Sequence, residues 1–268
     1  MVDVLAMQLR TQQTGEPVIV AEHLWKGYRR QTHQVSLRHE TAKMAKSILH
    51  RGPAPAEPFW ALKDVTFSIK AGESVAIVGR NGSGKTTLLR VLCQVTAPTR
   101  GYSSVRGRFA TLIGLGAGFN LERTGRENIF LNAAIQGTSP REIEPRLNDI
   151  IEFSELGEFI ETPVKRYSNG MITRLGFSIA AHILPDIIFV DEVLAVGDAA
   201  FQQKCMERIY ELKAEGRTLM FVSHAADTVK KLCERAIWLH QGVLKADGPS
   251  DMVLAQYEAM LRGDTVEA

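Results

Sequence analysis

The stretch Gly79-Arg80-Asn81-Gly82-Ser83-Gly84-Lys85-Thr86 decides the fold of this sequence. It comes directly after the apolar run Ser74–Val78, which has the length and composition of a buried strand, and a helical pattern begins at Lys85. A glycine-rich turn between a buried strand and a helix, ending in Gly-Lys-Thr, has the spacing of loops that hold phosphate groups. We therefore predict an α/β fold in which this loop binds a nucleotide.

The residue types of this loop suit the binding of a magnesium nucleotide. Glycines allow backbone amides to point at phosphate oxygens, and the amino end of the following helix adds a favourable dipole. We expect Lys85 to reach the outer phosphates and the hydroxyl of Thr86 to bind Mg²⁺, so ATP and Mg²⁺ are the predicted cofactors. The residues of this segment that we predict to bind ATP are Gly79, Asn81, Gly82, Ser83, Gly84, Lys85, Thr86 and Thr87.

A second apolar run, Ile187–Val190, ends in two carboxylates, Asp191 and Glu192. By themselves these residues could simply cap a helix. In open α/β sheets, however, ligands gather at the carboxyl ends of the strands. With a phosphate loop upstream, we predict that Asp191 holds the magnesium and that Glu192 polarises the attacking water.

The segment Tyr167-Ser168-Asn169-Gly170-Met171 alone indicates a turn followed by a helix that Ser168 caps. Its position upstream of Asp191 resembles that of the signature segment of the ABC ATPase family, which usually reads Leu-Ser-Gly-Gly-Gln. The resemblance implies that Ser168 and the amide of Gly170 contact the γ-phosphate held by the opposite subunit. It therefore implies a head-to-tail homodimer with shared sites.

Three further positions match the family. His224, after Val222-Ser223, matches the histidine that contacts the γ-phosphate, although a lone histidine is more often structural. Asp198 closes the segment that matches the family's dimer-contact loop, and we include it among the ATP-binding residues. Tyr28 stands where an aromatic residue usually stacks on adenine, with Trp60 as the alternative. The catalytic residues that the resemblance implies are Glu192, His224 and Lys85.

The resemblance is greatest to the ATPase subunits of polysaccharide exporters, those for O-antigen, capsule or teichoic acid. Four features carry it: Leu115–Asn120 with Thr124–Asn128, the Tyr167–Met171 segment, the run Asp191–Asp198, and the insertion between Tyr28 and Trp60. It implies an ATP-hydrolysing subunit that powers the export of a lipid-linked polysaccharide through a separate membrane permease. The alternatives are the ATPase of an importer, which shares the catalytic motifs, and an ABC ATPase outside transport.

One position departs from the family pattern. Most ABC ATPases carry a glutamine near Leu115 or Gly116 that bridges the magnesium and the permease, and this sequence has none there. Glycines at 114, 116 and 118 would allow the backbone itself to approach a partner closely. We therefore expect the segment from Leu115 to Phe119 to face the permease without offering a side-chain ligand.

The resemblance implies an ABC ATPase core of the P-loop NTPase class, with an inserted helical subdomain and an antiparallel β edge. We expect one nucleotide-binding domain over 1–262 and a tail over 263–268. The predicted parts are a RecA-like core at about 18–120 and 184–250, a helical subdomain at about 121–183, and an amphipathic insertion at about 29–58. The insertion is either a solvated basic helix or a helix beside the membrane and permease.

Composition limits the partners. A net charge of +2 over 268 residues gives no case for nucleic acid, and the three cysteines lack the paired spacing of a metal site. The first 20 residues have no secretion signal, and charged residues interrupt the most apolar run, Ile179–Val196. We expect a peripheral protein at the cytoplasmic face of the inner membrane, with the permease or the lipid-linked end of the glycan deciding specificity.

Overall fold

The protein was analysed as a computed structural model, which describes residues 16–28, 58–191, 197–223 and 225–262. Glu192 and His224, two of the three predicted catalytic residues, lie outside the described residues. So do the predicted insertion except Pro58, and the tail from residue 263. The boundaries expected for the core, the helical subdomain and the insertion stay predictions.

Nine strands form two sheets in the described residues. They are β1 Pro17–Tyr28, β2 Phe59–Lys70, β3 Ser74–Val78, β4 Arg100–Val105, β5 Phe109–Thr111, β6 Ile187–Val190, β7 Thr218–Val222, β8 Arg235–His240 and β9 Val243–Pro249. The larger sheet has the order β5-β6-β7-β3-β8-β9 and is parallel except for β9, which runs antiparallel to β8. The predicted α/β class and its antiparallel edge are confirmed.

The phosphate loop follows β3, a completely buried strand in the middle of this sheet. All residues of β3 are buried, and the strand pairs in parallel with β7 on one side and β8 on the other. The strands β6 and β7 are also completely buried, so their sequences are continuously apolar, as expected for strands covered on both faces. The segments after β3, β6 and β7 consequently lie along one edge of the sheet.

The smaller sheet is antiparallel, with the order β2-β1-β4. The alternating apolar residues from Trp60 onward predict an edge strand, which agrees with β2. The apolar run Val18–Val20 predicts only the beginning of β1, which continues eight residues further to Tyr28. The strand β4 was not predicted because its first three residues are exposed, so it lacks the apolar alternation that reveals a half-buried strand. The residues Arg106–Ile113 have the pattern of another strand, but only Phe109–Thr111 is paired.

Eight α-helices occur in the described residues. They are α1 Lys85–Leu92, α2 Gly125–Ile135, α3 Pro140–Ile143, α4 Leu147–Ser154, α5 Asn169–His182, α6 Ala199–Ala214, α7 Ala226–Leu232 and α8 Ser250–Arg262. The sequence pattern over 140–153 predicts one helix, but a 3₁₀ turn, Glu144–Arg146, divides it, because Pro145 has no amide hydrogen to donate. Among these helices none is both long and apolar enough to cross a bilayer.

The larger sheet separates two apolar cores. Along β3, Ala76 and Val78 belong to one core and Val75 and Ile77 to the other, because successive side chains of a strand point to opposite faces. The first core contains the buried faces of α2, α5 and α6. The second core joins α1 to the small antiparallel sheet, so the helix after the phosphate loop is supported from that side.

We predict that Phe177→Ala destabilises the protein far more than Phe159→Ala. Phe177 is fully buried, stacked on Phe153 at 5.9 Å and edge-on to Phe201 at 6.4 Å between ring centroids. Its truncation should lower the free energy of unfolding by about 3–5 kcal/mol, measured by urea denaturation. Phe159 is 59% exposed, so its truncation should cost at most about 0.5 kcal/mol. Equal losses would contradict this account of the core.

Candidate functional site

The phosphate loop is held by a close approach of three backbone segments. Gly242 donates its amide hydrogen to the carbonyl of Ser83 at 2.9 Å, and its own carbonyl accepts from the amide of Lys63 at 2.7 Å. A β-carbon on Gly84 would lie 2.6 Å from the carbonyl oxygen of Ala61, and the φ of Gly84 is +110°. Only glycine fits there, because a side chain would collide with the neighbouring backbone.

A second glycine closes the start of the loop. Gly79 has a φ of +151°, and a β-carbon there would meet the carbonyl of Leu239 and lie 2.6 Å from Oγ of Ser83. The hydroxyl of Ser83 is buried and has no hydrogen-bond partner among the described residues. A buried hydroxyl normally has a partner, so this atom is a donor still available to a ligand in the loop.

Lys85 lies inside the loop at the start of α1. Its ammonium group donates to the carbonyls of Gly79 at 2.7 Å and Arg80 at 3.2 Å, and the residue is buried. Burial lowers the pKa of Lys85, and the negative charge of Asp191 acts in the opposite direction. The ammonium group is therefore shielded from solvent inside the loop that is predicted to bind phosphate.

Asp191 follows β6 at the same edge of the sheet. Burial raises the pKa of its carboxyl group, and the positive charges of Lys85 and Arg90 lower it. The sheet thus brings Asp191 and Lys85 into electrostatic contact, although they are far apart in sequence. Thr86 is exposed on the first turn of α1. Hydroxyl and carboxylate oxygens of this kind are the ligands that Mg²⁺ prefers, so the residues fit the predicted magnesium nucleotide.

The remaining predicted residues of the loop lie around its tip and the first turn of α1. Asn81 and Gly82 are exposed, and Gly82, at a φ of +79°, has open space where a β-carbon would be. Thr87 is half-buried beside Lys85. The tip is therefore open to solvent, while the base of the loop is enclosed by backbone.

The two candidate adenine-stacking residues differ in surroundings. Trp60 is half-buried, edge-on to Trp25 at 5.3 Å between ring centroids, with the guanidinium of Arg100 5.6 Å from its ring. Tyr28, at the end of β1, is 40% exposed, and the ammonium group of Lys26 lies 5.2 Å from the centroid of its ring. The ring of Trp60 is thus occupied by packing within the small sheet, whereas that of Tyr28 is more open.

Ser168 and Gly170 lie at the amino end of α5. The hydroxyl of Ser168 accepts a hydrogen bond from the amide of Met171 at 3.2 Å, which is the predicted helix cap. Tyr167 donates its hydroxyl to the carbonyl of Phe159 at 2.7 Å and so anchors the turn before the cap. A β-carbon on Gly170 would meet only Ser168, at 3.7 Å. This helix end therefore has free space around Gly170, and the positive end of its dipole favours a negatively charged neighbour.

Asp198 caps α6 and is joined to α5 through Arg174. One carboxylate oxygen accepts from the amide of Phe201 at 3.0 Å, and the other accepts from Arg174 at 2.7 Å. The amide of Phe201 is the main cause that lowers the pKa of Asp198, with the charge of Arg174 adding to it. Arg174 also pairs with Glu155 at 2.9 Å and lies 4.7 Å from the ring centroid of Phe201.

Arg174 was not singled out from the sequence. Its partners, Glu155 and Asp198, are 19 and 24 residues away, so no local pattern signals the contact. Arg174 links the helix that begins at Ser168 to the helix that begins at Asp198. The structure therefore joins two of the predicted site residues, while direct contact of either with a nucleotide stays a prediction.

The glycine-rich segment without a glutamine packs closely on α5. A β-carbon on Gly176 would lie 2.8 Å from the amide nitrogen of Gly116 and 3.2 Å from the β-carbon of Leu115. A β-carbon on Gly116, which has a φ of +84°, would collide with Ile172. The main chain of Leu115 and Gly116 thus lies close against α5, while contact of this segment with the permease stays a prediction.

Comparison with known proteins identifies the relatives of this chain. The family model described as "ABC transporter" matches residues 62–195. The O-antigen export system ATP-binding protein RfbB of Klebsiella pneumoniae is 46% identical over 200 residues, which are 75% of this chain and 81% of that protein. The teichoic acids export ATP-binding protein TagH of Levilactobacillus brevis is 41% identical over 226 residues, 84% of this chain and 62% of that protein.

A solved structure agrees with the fold. The ATP-binding subunit of an ABC transporter superposes with a TM-score of 0.70 at 25% identity, covering 92% of this chain and 95% of the other.

We predict that Gly84→Ala impairs nucleotide binding much more than Gly82→Ala. Both glycines have positive φ, so each substitution carries the cost of a left-handed conformation, about 1–2 kcal/mol. Only at Gly84 would the methyl group also collide with backbone and displace the loop. We expect Gly84→Ala to weaken ATP binding at least about tenfold more than Gly82→Ala by isothermal titration calorimetry. Equal weakening would show that loop geometry at Ala61 is unimportant.

Proposed function

Since this chain belongs to the ABC transporter family and is an ATPase of that family, we propose that it powers export of a lipid-linked polysaccharide through a separate membrane permease. The observation that carries the proposal is the 46% identity to an O-antigen export ATP-binding protein, over 81% of that protein's length. A teichoic acid export ATP-binding protein is related at 41% identity. One relative is named for the export of O-antigen and the other for the export of teichoic acids, which favours a polysaccharide of this kind as the substrate.

The chemistry we propose uses Lys85, which is buried, and Asp191, which is half-buried, at the sheet edge. The amides of the phosphate loop and the ammonium group of Lys85 hold the outer phosphates and stabilise the charge that develops on them. Thr86 and Asp191 would hold the magnesium, which neutralises phosphate charge when it is bound. Glu192 is the proposed base that orients the attacking water, and His224 is proposed to stabilise the γ-phosphate.

The second half of each site is proposed to come from a second copy of the chain. The capped amino end of α5 has free space at Gly170, and the amino end of a helix favours an anion. Asp198 is already engaged by Phe201 and Arg174, which supports a role in holding the dimer-contact segment in place. We propose a head-to-tail homodimer in which the loop of one copy faces Ser168 and Gly170 of the other.

Tyr28 is the proposed adenine-stacking residue. Its ring is 40% exposed at the end of β1, whereas the ring of Trp60 is flanked by Trp25 and Arg100. Base stacking requires an accessible aromatic face, which favours the more open ring.

We propose that the chain attaches peripherally to the cytoplasmic face of the inner membrane by binding the permease. The names of the two relatives as subunits of export systems support this location. The segment 29–58 is proposed as an insertion in a single nucleotide-binding domain.

Removing the charge of Lys85 should abolish export in the native host. A strain with its own copy deleted would carry Lys85→Ala, and we expect ATP hydrolysis to fall at least about a hundredfold because the transferred phosphate loses its cation. Surface polysaccharide should disappear while the lipid-linked form accumulates inside, as measured by immunoblot and lipid extraction. Lys245→Ala, at an exposed position on β9, is the matched control. Normal surface polysaccharide with a lost nutrient uptake would contradict the export proposal.

A shared site predicts complementation between two inactive variants. Lys85→Ala damages one half of each site, and Gly170→Asp places a negative charge against the phosphate in the other half without removing the cap on Ser168. An equal mixture should recover about a quarter of the wild-type ATPase rate, since half the dimers contain one intact site of two. A mixture as inactive as its components would contradict the shared site.

A further inference from the structure

Asn128 on α2 is a completely buried amide with an unusual set of partners. Its Oδ1 accepts a hydrogen bond from the backbone amide of Asn120 at 2.7 Å. Its Nδ2 donates to the carbonyls of Asn120 at 3.0 Å, Thr124 at 2.9 Å and Arg123 at 3.2 Å. The side chain therefore satisfies both backbone groups of Asn120, as a neighbouring strand would do.

Two further amides continue along the same face of the helix. Asn132, one turn after Asn128, is buried and donates from Nδ2 toward the carbonyl of Ala117 at 3.4 Å. Gln136, one turn later, donates from Nε2 to Oδ1 of Asn132 at 2.7 Å. We call Asn128, Asn132 and Gln136 the amide row. Asn128 and Asn132 lie on the side of α2 that faces the segment 114–120, and Gln136, the residue after the end of α2, contacts Asn132.

Core packing alone does not explain the amide row. A buried amide costs free energy unless its groups are hydrogen-bonded, and an apolar side chain would serve packing better. The segment 114–120 belongs to no strand or helix, and its internal backbone bonds are two short turns, Ala117 to Gly114 and Phe119 to Gly116. Asn128 and Asn132 fasten this irregular backbone to α2, and Gln136 donates a hydrogen bond to Asn132.

The chain just before the segment 114–120 is fastened near the nucleotide site. The amide of Leu112 donates to the carbonyl of Phe189 at 2.8 Å, two residues before Asp191. In its middle, the segment touches α5 at Gly176, the helix that begins after Ser168. The segment 114–120 therefore connects the edge of the larger sheet, the helix of Ser168 and the helix α2.

We propose that Asn128 is a positioning residue that makes the segment 114–120 and α2 move as one body. This rests on the proposed function, in which the segment faces the permease. The glutamine usual in the family is missing from the segment, and the bonds from Asn128 to the backbone of Asn120 fix the segment to α2 instead. The bond from Leu112 to Phe189 holds the chain just before the segment to the strand that leads to Asp191. A displacement of α2 is then transmitted to the backbone beside Asp191 without any side chain of the segment taking part.

Asn128→Ala tests this role in the full chain, alone and in complex with its permease in lipid nanodiscs. Hydrogen exchange of the isolated chain should show the amide of Asn120 exchanging at least about tenfold faster, because its acceptor is gone. Basal ATPase activity should stay within about twofold, whereas stimulation by permease and lipid-linked glycan should fall about tenfold, a size typical of lost coupling between sites. Asn148→Ala, at an exposed position on α4, should leave all three readouts unchanged.

Two results would overturn the proposal. One is a parallel loss of basal and stimulated activity, which is what a merely structural asparagine would produce. The other is faster exchange at Asn120 with full stimulation, which would mean that a fastened segment is not needed for coupling. If Asn128→Ala does not fold, Asn132→Ala removes only the bond to Ala117 and the acceptor of Gln136, and the same criteria apply to it with exchange followed over 114–120.

Failure of the proposed function would give a different experimental result. A wild-type complex whose ATPase activity responds to no lipid-linked glycan would overturn the export proposal and the coupling role with it. The exchange measurement uses the chain alone, so it would still decide whether Asn128 holds Asn120 in place.

Discussion

The close approach of backbone at Gly84 is the contact on which the rest of the structure depends. The phosphate loop, the turn between β8 and β9 and the strand β2 meet there through bonds from Gly242 to Ser83 and from Lys63 to Gly242. Main-chain groups cannot change rotamer, so the loop amides keep their direction without help from a ligand. The same contact joins the larger sheet to the small antiparallel sheet, so the candidate adenine and phosphate sites lie on a common rigid base.

The charged groups of the protein differ in their exposure to solvent. Lys85 and Asp191 are both withdrawn from solvent, and each opposes the pKa shift that burial imposes on the other. Ion pairs at Arg174 and Lys204 instead involve partly exposed carboxylates such as Glu155, and pairs of that kind contribute little to stability. Their effect is geometric, because Glu155 accepts from both cations and so ties α4, α5 and α6 together at one point.

The sequence was sufficient where a local pattern and a buried environment coincide. The segment β3, its loop and α1 could be predicted because a continuous apolar strand, three glycines and a lysine occur in one short stretch. The strand β4 could not, because Arg100, Gly101 and Tyr102 face solvent and pair with β1 through backbone alone. Arg174 was missed for a related reason, because its partners are set by how helices pack. The partners of Asn128 are main-chain groups four to eight residues before it, in a stretch without regular structure. Nothing beside Asn128 in the sequence distinguishes a buried amide from an exposed one.

Bonds to the main chain also change where natural selection can act. An interaction made by a side chain disappears when that residue is substituted, and its history is visible at its own position. The carbonyl and amide of Asn120 belong to the backbone, so they survive substitution of that residue, and the residue that can lose the bond is Asn128. The segment 114–120 is therefore free to vary in its exposed side chains, while the evolutionary record of the contact is kept eight residues away on α2.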